Sequence, residues 1–146
     1  MRPDELKSFA LLAEFSDGDR AALVDLLDVR RLAKGKSAFR EGSEGEGLVL
    51  LAEGELKLES QRHGDDLGSL TAPYHLGAVS LFSFGKRQVT AVAEGPCELW
   101  LLSRAGLSRL AEDAPRAAFR LAEAVAAELA LLTRPGVDAL VERDIS

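Results

Sequence analysis

The stretch that decides the fold is residues 33–58, AKGKSAFREGSEGEGLVLLAEGELKL. In it, short apolar runs alternate with glycine turns at Gly35, Gly42, Gly47 and Gly54. After the last of these glycines, leucines alternate with charged residues, which is the period of a half-buried strand. The stretch therefore predicts short β-strands joined at glycines.

The same pattern extends in both directions, from Val29 to about Ser103. RQVTAVAEGPCELWLLS, residues 87–103, contains another pair of apolar runs around a Glu-Gly-Pro turn. Roughly eight short strands at this spacing indicate a sandwich or barrel. The segments between the glycines share no pattern, so they are not a solenoid repeat. We expect a mainly β domain, a β-roll or jelly roll over about residues 28–103, with helices on both sides.

Helical spacing precedes the β-roll. Apolar residues recur at helical intervals through the first 27 residues. Ser16 stands just before a second helical run and is predicted to be its N-cap, with Asp19 three residues on as a capping-box partner.

Helical spacing also returns after the roll, over about residues 104–134. A short helix is predicted first, and then a longer one with Pro115 in its first turn, where proline is well tolerated. Pro135-Gly136 is predicted to end the longer helix and to leave residues 135–146 as a polar tail. With no long linker, the chain is predicted to be a single domain, residues 1–146.

The composition excludes several classes of protein. The 146 residues carry 18 basic and 24 acidic side chains, a net charge of −6. This balance argues against a surface for nucleic acid or anionic membrane, because both need clustered positive charge. No apolar run approaches the roughly 20 residues of a membrane span. Cys97 is the only cysteine, so no internal disulfide is possible, and a cytoplasmic protein is expected.

The order of these elements, with these glycines, resembles the cyclic-nucleotide-binding domain of the Crp/Fnr and protein-kinase-A regulatory type. FSDGDRAALVDLL, residues 15–27, looks like the first helix of that family, and residues 33–58 look like its early strands. The resemblance covers nearly the whole chain. It implies a regulatory domain that takes part in signal transduction.

In that family a phosphate-binding cassette holds the ligand: a Gly-Glu pair opens a short helix, and an arginine leads the next strand. Backbone amides cradle the cyclic phosphate, and the arginine offers its oxygens a charged, planar fork. The glutamate accepts a hydrogen bond from the ribose 2′-hydroxyl. We call residues 77–88 the cassette segment. In it Gly77 matches the glycine, Ser80–Phe82 match the apolar helix and Arg87 matches the arginine.

The cassette segment also departs from the family pattern. Ala78 stands where the glutamate is expected, and Gln88 follows the arginine where many members carry Ser or Thr. Upstream, Pro73-Tyr74 replaces a common Gly-Asp. A lost charge-assisted hydrogen bond costs about 1.5–3 kcal/mol, or roughly 10- to 150-fold in affinity. We therefore expect weak binding.

The resemblance names the expected binding residues and ligands. The ligand-binding residues expected are Gly77, Ala78, Val79, Ser80, Arg87 and Gln88, with Thr133 near the end of the last helix as the candidate for the base. The candidate ligands are cAMP and cGMP, and no other cofactor is expected. The alternative for Arg87 is a salt-bridged or solvated arginine at a strand end.

The last helix is apolar around more than one face. Leu121, Val125, Leu129 and Leu132 form one stripe, and Phe119 with several alanines widens it. Such a helix must bury more than one side. Either the β-roll alone covers it, or two copies pair through it as a homodimer, which the family commonly builds here. The stripe is therefore the expected dimer interface.

Other candidate sites are disfavoured. His63 and His75 are isolated and lack the spacing of metal ligands, which also disfavours a cupin. Cys97 is expected to be a small core residue. Ser80 and Ser83 have no local base, so acyl-transfer chemistry is not indicated. We expect neither catalysis nor a metal site.

Two hypotheses remain open. The first is a sensor that binds a cyclic nucleotide or a related phosphate-bearing effector. The second is a degenerate domain without a nucleotide that serves as a dimerisation or protein-interaction module. The family's transcription factors continue into a helix-turn-helix domain, whereas ten residues follow Gly136, so DNA binding by this stretch is not expected.

Overall fold

The computed structural model describes residues 1–62 and 66–145, with side chains described as far as residue 131. Two short 3₁₀ turns, Pro3–Ser8 and Ala10–Leu12, precede helix α1, Asp17–Val24. Ser16 is the N-cap of α1, as predicted. Its hydroxyl accepts from the Asp19 N–H at 3.1 Å, and the Asp19 carboxylate accepts from the Ser16 N–H at 3.2 Å.

Eight strands follow and confirm the predicted β-roll. They are β1 (Asp28–Leu32), β2 (Ser37–Phe39), β3 (Gly47–Glu53), β4 (Glu55–Glu59), β5 (Ser69–Thr71), β6 (Tyr74–Leu76), β7 (Thr90–Ala93) and β8 (Cys97–Ser103). They form two antiparallel four-stranded sheets, with the orders β1-β8-β3-β6 and β2-β7-β4-β5.

The two strand pairs found in the sequence are not hairpins. At Gly54 the chain passes from one sheet to the other, and between β7 and β8 it passes back. The two crossings touch. A Cβ on Gly54, whose φ is +98°, would lie 2.6 Å from both Cys97 Sγ and the Pro96 carbonyl oxygen. Glycine is therefore required at position 54 on two counts, its positive φ and this close approach. Cys97 is buried, as expected of a core residue.

The sheet that contains β3 and β8 separates two apolar cores. The core between this sheet and the helices includes Leu48, Leu50, Trp100, Leu102, Phe9, Leu23 and Leu121. The core between the two sheets includes Val49, Leu51, Leu99, Leu56, Ala91 and Ala93. Successive residues of β3 thus enter different cores, which is why its sequence is continuously apolar.

Two helices close the fold. Helix α2 spans Arg104–Asp113, with Ser103 as N-cap, and helix α3 spans Pro115–Ile145. The prediction that Pro135-Gly136 ends the last helix is wrong, because the helix continues through the predicted polar tail. Proline removes one i→i−4 hydrogen bond, and the helix formers that follow are sufficient to carry the helix on.

The packing of α3 also corrects the expected dimer interface. Leu121 and Val125 are 0% and 2% exposed, because they belong to the chain's own core against the helices and the first sheet. The same stripe continues to Leu129, which is partly exposed, while the side chain of Leu132 lies outside the described residues. Phe119 is 66% exposed on the same helix. The stripe is therefore not free to meet a partner over its first half.

Two ion pairs fix the position of α3. Arg120 Nε lies 3.1 Å from Asp19 Oδ2 of α1. Glu128 Oε1 lies 2.7 Å from His75 Nε2 on β6, the strand that leads into the cassette segment. Within the described chain, the helices are too short or too polar to cross a membrane.

Candidate functional site

The cassette segment joins β6 to β7 at one end of the roll. Gly77 has φ +71°, a left-handed conformation that favours glycine, and is followed by a 3₁₀ turn at Ala78–Leu81. The predicted short helix, matched at Ser80–Phe82, is thus a four-residue 3₁₀ turn that begins two residues earlier. Its first amides, of Ala78 and Val79, have no carbonyl within the turn to bond.

Arg87 points into the roll and contacts Gly77. Its Nη2 donates to the Gly47 carbonyl oxygen at 3.0 Å, and its guanidinium carbon lies 4.4 Å from the centre of the Phe39 ring. A methyl group on Gly77 would overlap Arg87 Nη1. The structure thus brings together the two residues that the sequence analysis matched to a phosphate site, and it explains why position 77 has no side chain.

The charge of Arg87 is poorly compensated. Burial lowers the pKa of its guanidinium below the ordinary value, Glu46 opposes this change, and the charge of Arg104 adds to it. The group still remains a cation at neutral pH, because guanidinium is not deprotonated in proteins. Its buried Nε has no hydrogen-bond partner. In the part of the chain that the structure describes, no carboxylate lies within ion-pair distance of it.

A cavity of about 310 Å³ opens beside this arginine. Its lining includes Gly77, Ser80, Lys86 and Arg87, together with exposed Phe84. The size lies at the lower end of the range for small-molecule pockets, roughly 300–1,000 Å³. Among the described residues the charged lining side chains are two cations and no carboxylate, within a chain of net charge −6.

The other predicted site residues take different positions. Ala78 is 3% exposed and packs into the core beneath the helices, so it offers nothing to a ribose. The Ser80 side chain packs against Gly45. Gln88 is exposed and donates to the Lys86 carbonyl at 3.3 Å. Val79 is partly exposed at the cavity. The side chain of Thr133 lies outside the described residues, as does His63.

Metal binding finds no support in the described residues. There is no cluster of three His, Cys, Asp or Glu side chains in that part of the chain. His75 is hydrogen-bonded to Glu128 and stacks on Tyr74, with ring centres 6.0 Å apart. Its role in the structure is to tie β6 to α3.

Sequence reasoning missed Arg104. One of its nitrogens, Nη2, donates to the carbonyl oxygens of Gly45 at 2.8 Å and Ser83 at 3.2 Å, and Phe84 stacks on the guanidinium at 4.3 Å. This arginine therefore connects the cassette segment to the loop before β3. One signal was available. A cation in the first turn of a helix opposes the helix dipole, so an arginine just after the Ser103 cap needs another partner.

Comparisons with known proteins identify the family of this chain. A family model described as cyclic nucleotide-binding domain matches residues 29–114. A cAMP-dependent protein kinase regulatory subunit from Eremothecium gossypii is 33% identical over 107 residues, which cover 73% of this chain and 23% of the relative. The chain thus spans about a quarter of the length of that relative.

Solved structures show the same fold. The N-terminal domain of a transcriptional regulator from Streptomyces coelicolor A3(2) has a TM-score of 0.78 and 29% identity, covering 90% of this chain and 96% of that one. The catabolite activator protein of Thermus thermophilus has a TM-score of 0.70 and 28% identity, covering 92% and 62%. Both are similar along nearly the whole of this chain.

Proposed function

From the premise that this chain belongs to the cyclic nucleotide-binding domain family, we propose that it is a non-enzymatic regulatory domain with a weakly bound effector. The effector is a cyclic nucleotide or a related phosphate-bearing molecule. It binds in the cavity beside Arg87 in the cassette segment. The side chains that line this cavity offer charge and hydrogen bonds and no pair of acid and base, which supports a binding role.

The observation that carries the proposal is the environment of Arg87. A half-buried cation without an ion-paired carboxylate is costly, and a bound anion would offset that cost. Gly77 leaves room for the guanidinium at the cavity wall. This agrees with the role that the family resemblance gives to Gly77 and Arg87, in which the arginine binds a phosphate.

Weak binding follows from the absence of an acidic side chain among the described residues that line the cavity. The side chain of Ala78, where the family pattern has a glutamate, is buried in the core. The ribose 2′-hydroxyl therefore lacks a charged acceptor. The loss of such a hydrogen bond weakens affinity by roughly 10- to 150-fold.

Calorimetric titration with cAMP and cGMP tests this function. We expect binding with a dissociation constant above about 1 µM, and Arg87→Leu should abolish it. Arg116→Leu removes an exposed arginine at the start of α3 and serves as the control, so it should bind as the wild type does. If Arg87→Leu binds as well as the control does, the cavity is not the site and the proposal fails.

A second candidate function is a protein-interaction or dimerisation module. It is favoured by exposed aromatic side chains, since Phe84 is 82% and Phe119 is 66% exposed. Large apolar side chains that remain in water are often part of an interface. We propose that any homodimer uses the outer face of α3 around Phe119, because the face with Leu121 and Val125 is already covered.

Light scattering at high micromolar concentration tests the second function. If α3 pairs with a second copy, Phe119→Glu should give a folded monomer. Val125→Glu should instead unfold the domain, since it buries a charge in the core. A wild-type protein that remains monomeric would remove the dimer from consideration.

A further inference from the structure

We propose that the cavity beside Arg87 selects a ligand with a terminal phosphomonoester over one with a cyclic phosphodiester. This inference rests on the proposed function and deepens it by naming the class of phosphate. A phosphomonoester carries a charge of about −1.5 to −2 at pH 7 and three acceptor oxygens. A cyclic diester carries a single negative charge. The affinities for the two classes of phosphate should therefore differ most in a cavity that is lined by cations and lacks a carboxylate.

Three cations surround the cavity. Lys86 and Arg87 line it, and Arg104 lies close enough to Arg87 to disfavour the charged form of that neighbour. Within the described chain, none of the three has a carboxylate oxygen within ion-pair distance. Glu46 is the acidic group that acts on Arg87, and it does not line this cavity. Glu46 therefore compensates Arg87 in part, from outside the cavity, and a bound phosphate would add negative charge inside it.

Arginines elsewhere in the chain show the contrast. Arg20, Arg87, Arg104 and Arg120 each have a buried Nε without a hydrogen-bond partner. Arg20 is nevertheless paired with Asp17, and Arg120 lies 3.1 Å from a carboxylate oxygen of Asp19. The two arginines near the cassette segment donate only to backbone carbonyls. Of these four arginines, the two without an ion-paired carboxylate among the described residues therefore both lie near the cassette segment.

The absence of an acidic side chain from the described lining of the cavity contributes to the same selectivity. A carboxylate at the cavity would repel a second negative charge on the phosphate, and no acidic side chain lines it among the described residues. Ala78 faces the core and does not line the cavity, so the position where the family pattern has a glutamate adds no negative charge there.

The experiment is calorimetric titration of the whole chain with 5′-AMP and cAMP at pH 7.5 and constant ionic strength. We expect 5′-AMP to bind roughly two- to fivefold tighter than cAMP, the effect of one additional charge near a surface cation. Titrations with ribose 5-phosphate and with inorganic phosphate measure how much the base and the ribose add to the affinity for the phosphate. Tighter binding of cAMP than of 5′-AMP would overturn the inference and leave the proposed function intact. Failure of all four probes to bind would overturn both.

Lys86→Gln isolates the charge effect, because Lys86 is exposed and at the cavity. The preference for 5′-AMP over cAMP should be largely lost in this variant. Lys34→Gln, on the exposed turn between β1 and β2, makes the same chemical change away from the cavity and should leave the preference unchanged. An equal preference in all three proteins would show that Lys86 does not select the dianion and would overturn the inference.

A pH series gives a second readout. The second ionisation of a phosphomonoester lies near pH 6, so affinity for 5′-AMP should fall between pH 7.5 and 5.5 while affinity for cAMP changes little. The cAMP series is the control for the protein's own groups near the cassette segment, Lys86, Arg87, Arg104 and the His75–Glu128 pair, because they are the same with both ligands. Parallel pH profiles for both ligands would contradict the inference.

Discussion

The two ends of strands β3 and β8 differ in how far their charged groups are compensated. At one end Gly54 meets Cys97 and Pro96 so closely that a single methyl group would not fit. At the other end Gly47 approaches the Leu102 carbonyl oxygen and the backbone of Ser103 just as closely, but the neighbouring arginines, Arg87 and Arg104, donate only to backbone carbonyls. We call these the closed end and the open end. At the closed end the two crossing segments contact each other directly. At the open end Arg87 and Arg104 have no ion-paired carboxylate among the described residues.

This difference separates residues that maintain the fold from residues that are available for function. Contacts at the closed end lower the free energy of the folded chain directly. Charges at the open end are costly to bury, and the proposed ligand would offset that cost. Substitutions at the two ends should therefore change different measurements.

The largest expected effect is at the closed end. Gly54→Ala should lower the free energy of unfolding by about 2–4 kcal/mol, because it combines a left-handed backbone with a clash against backbone and sulfur atoms. Chemical denaturation measures this. Gly95→Ala is the matched control, since a Cβ there meets no atom within 4 Å, and it should cost little. Equal stability of the two variants would show that the crossings are not tightly packed.

The second effect concerns Ala78, which lies in the open end but faces the core. Ala78→Glu should cost about 1–3 kcal/mol of stability, since a carboxylate would enter an apolar environment. It should not raise the affinity for cAMP, although the family pattern has a glutamate there. Denaturation together with calorimetry gives both values. A tighter cAMP complex without loss of stability would show that the turn at Ala78–Leu81 rearranges on binding.

A smaller change in stability is expected for Arg87→Met. The variant loses one hydrogen bond and the contact with Phe39, but it also removes a poorly compensated charge. The net change in unfolding free energy should be within about 1 kcal/mol. Leu51→Ala, in the core between the sheets, sets the scale at about 2–5 kcal/mol. If Arg87→Met were as destabilising as Leu51→Ala, the open end would have a structural role after all.

The smallest expected difference is between two ligands. Because cAMP and cGMP share the ribose and cyclic phosphate and differ only in the base, a site built on Gly77 and Arg87 should bind them in the wild type within about threefold of each other. Competition titration measures the ratio. A strong preference for either nucleotide would mean that another residue reads the base, and the end of α3 would be the first place to examine by substitution.

The sequence predicted the local features well because they depend on nearby residues. Alternation and glycines located the strands, and Ser16 with Asp19 located the start of α1. Gly77 and Arg87 were matched by their order in the family pattern, and the structure places them in contact. Each of these rests on a pattern within a few residues or on a known motif.

Features that depend on distant contacts could not be predicted. Arg104 reaches Gly45 and Ser83, residues that come together only when the roll closes. Helical periodicity found the stripe with Leu121 and Val125 but could not say whether the chain itself or a second copy covers it. The end of α3 was misplaced because the effect of a proline depends on the strength of the helix around it.

The alternation along β3 has a consequence for protein engineering. Leu48 and Leu50 belong to the helical side of the sheet, and Val49 and Leu51 belong to the side that the two sheets enclose. Adjacent positions of β3 therefore pack against different neighbours and are constrained independently. A library that varies positions 48 and 50 with matching changes in the helices would alter the packing between the helices and the first sheet. It would leave the core between the two sheets unchanged. Substitutions accepted at positions 48 and 50 should accordingly depend on the residues of the helices, and those at positions 49 and 51 on the residues of the other sheet.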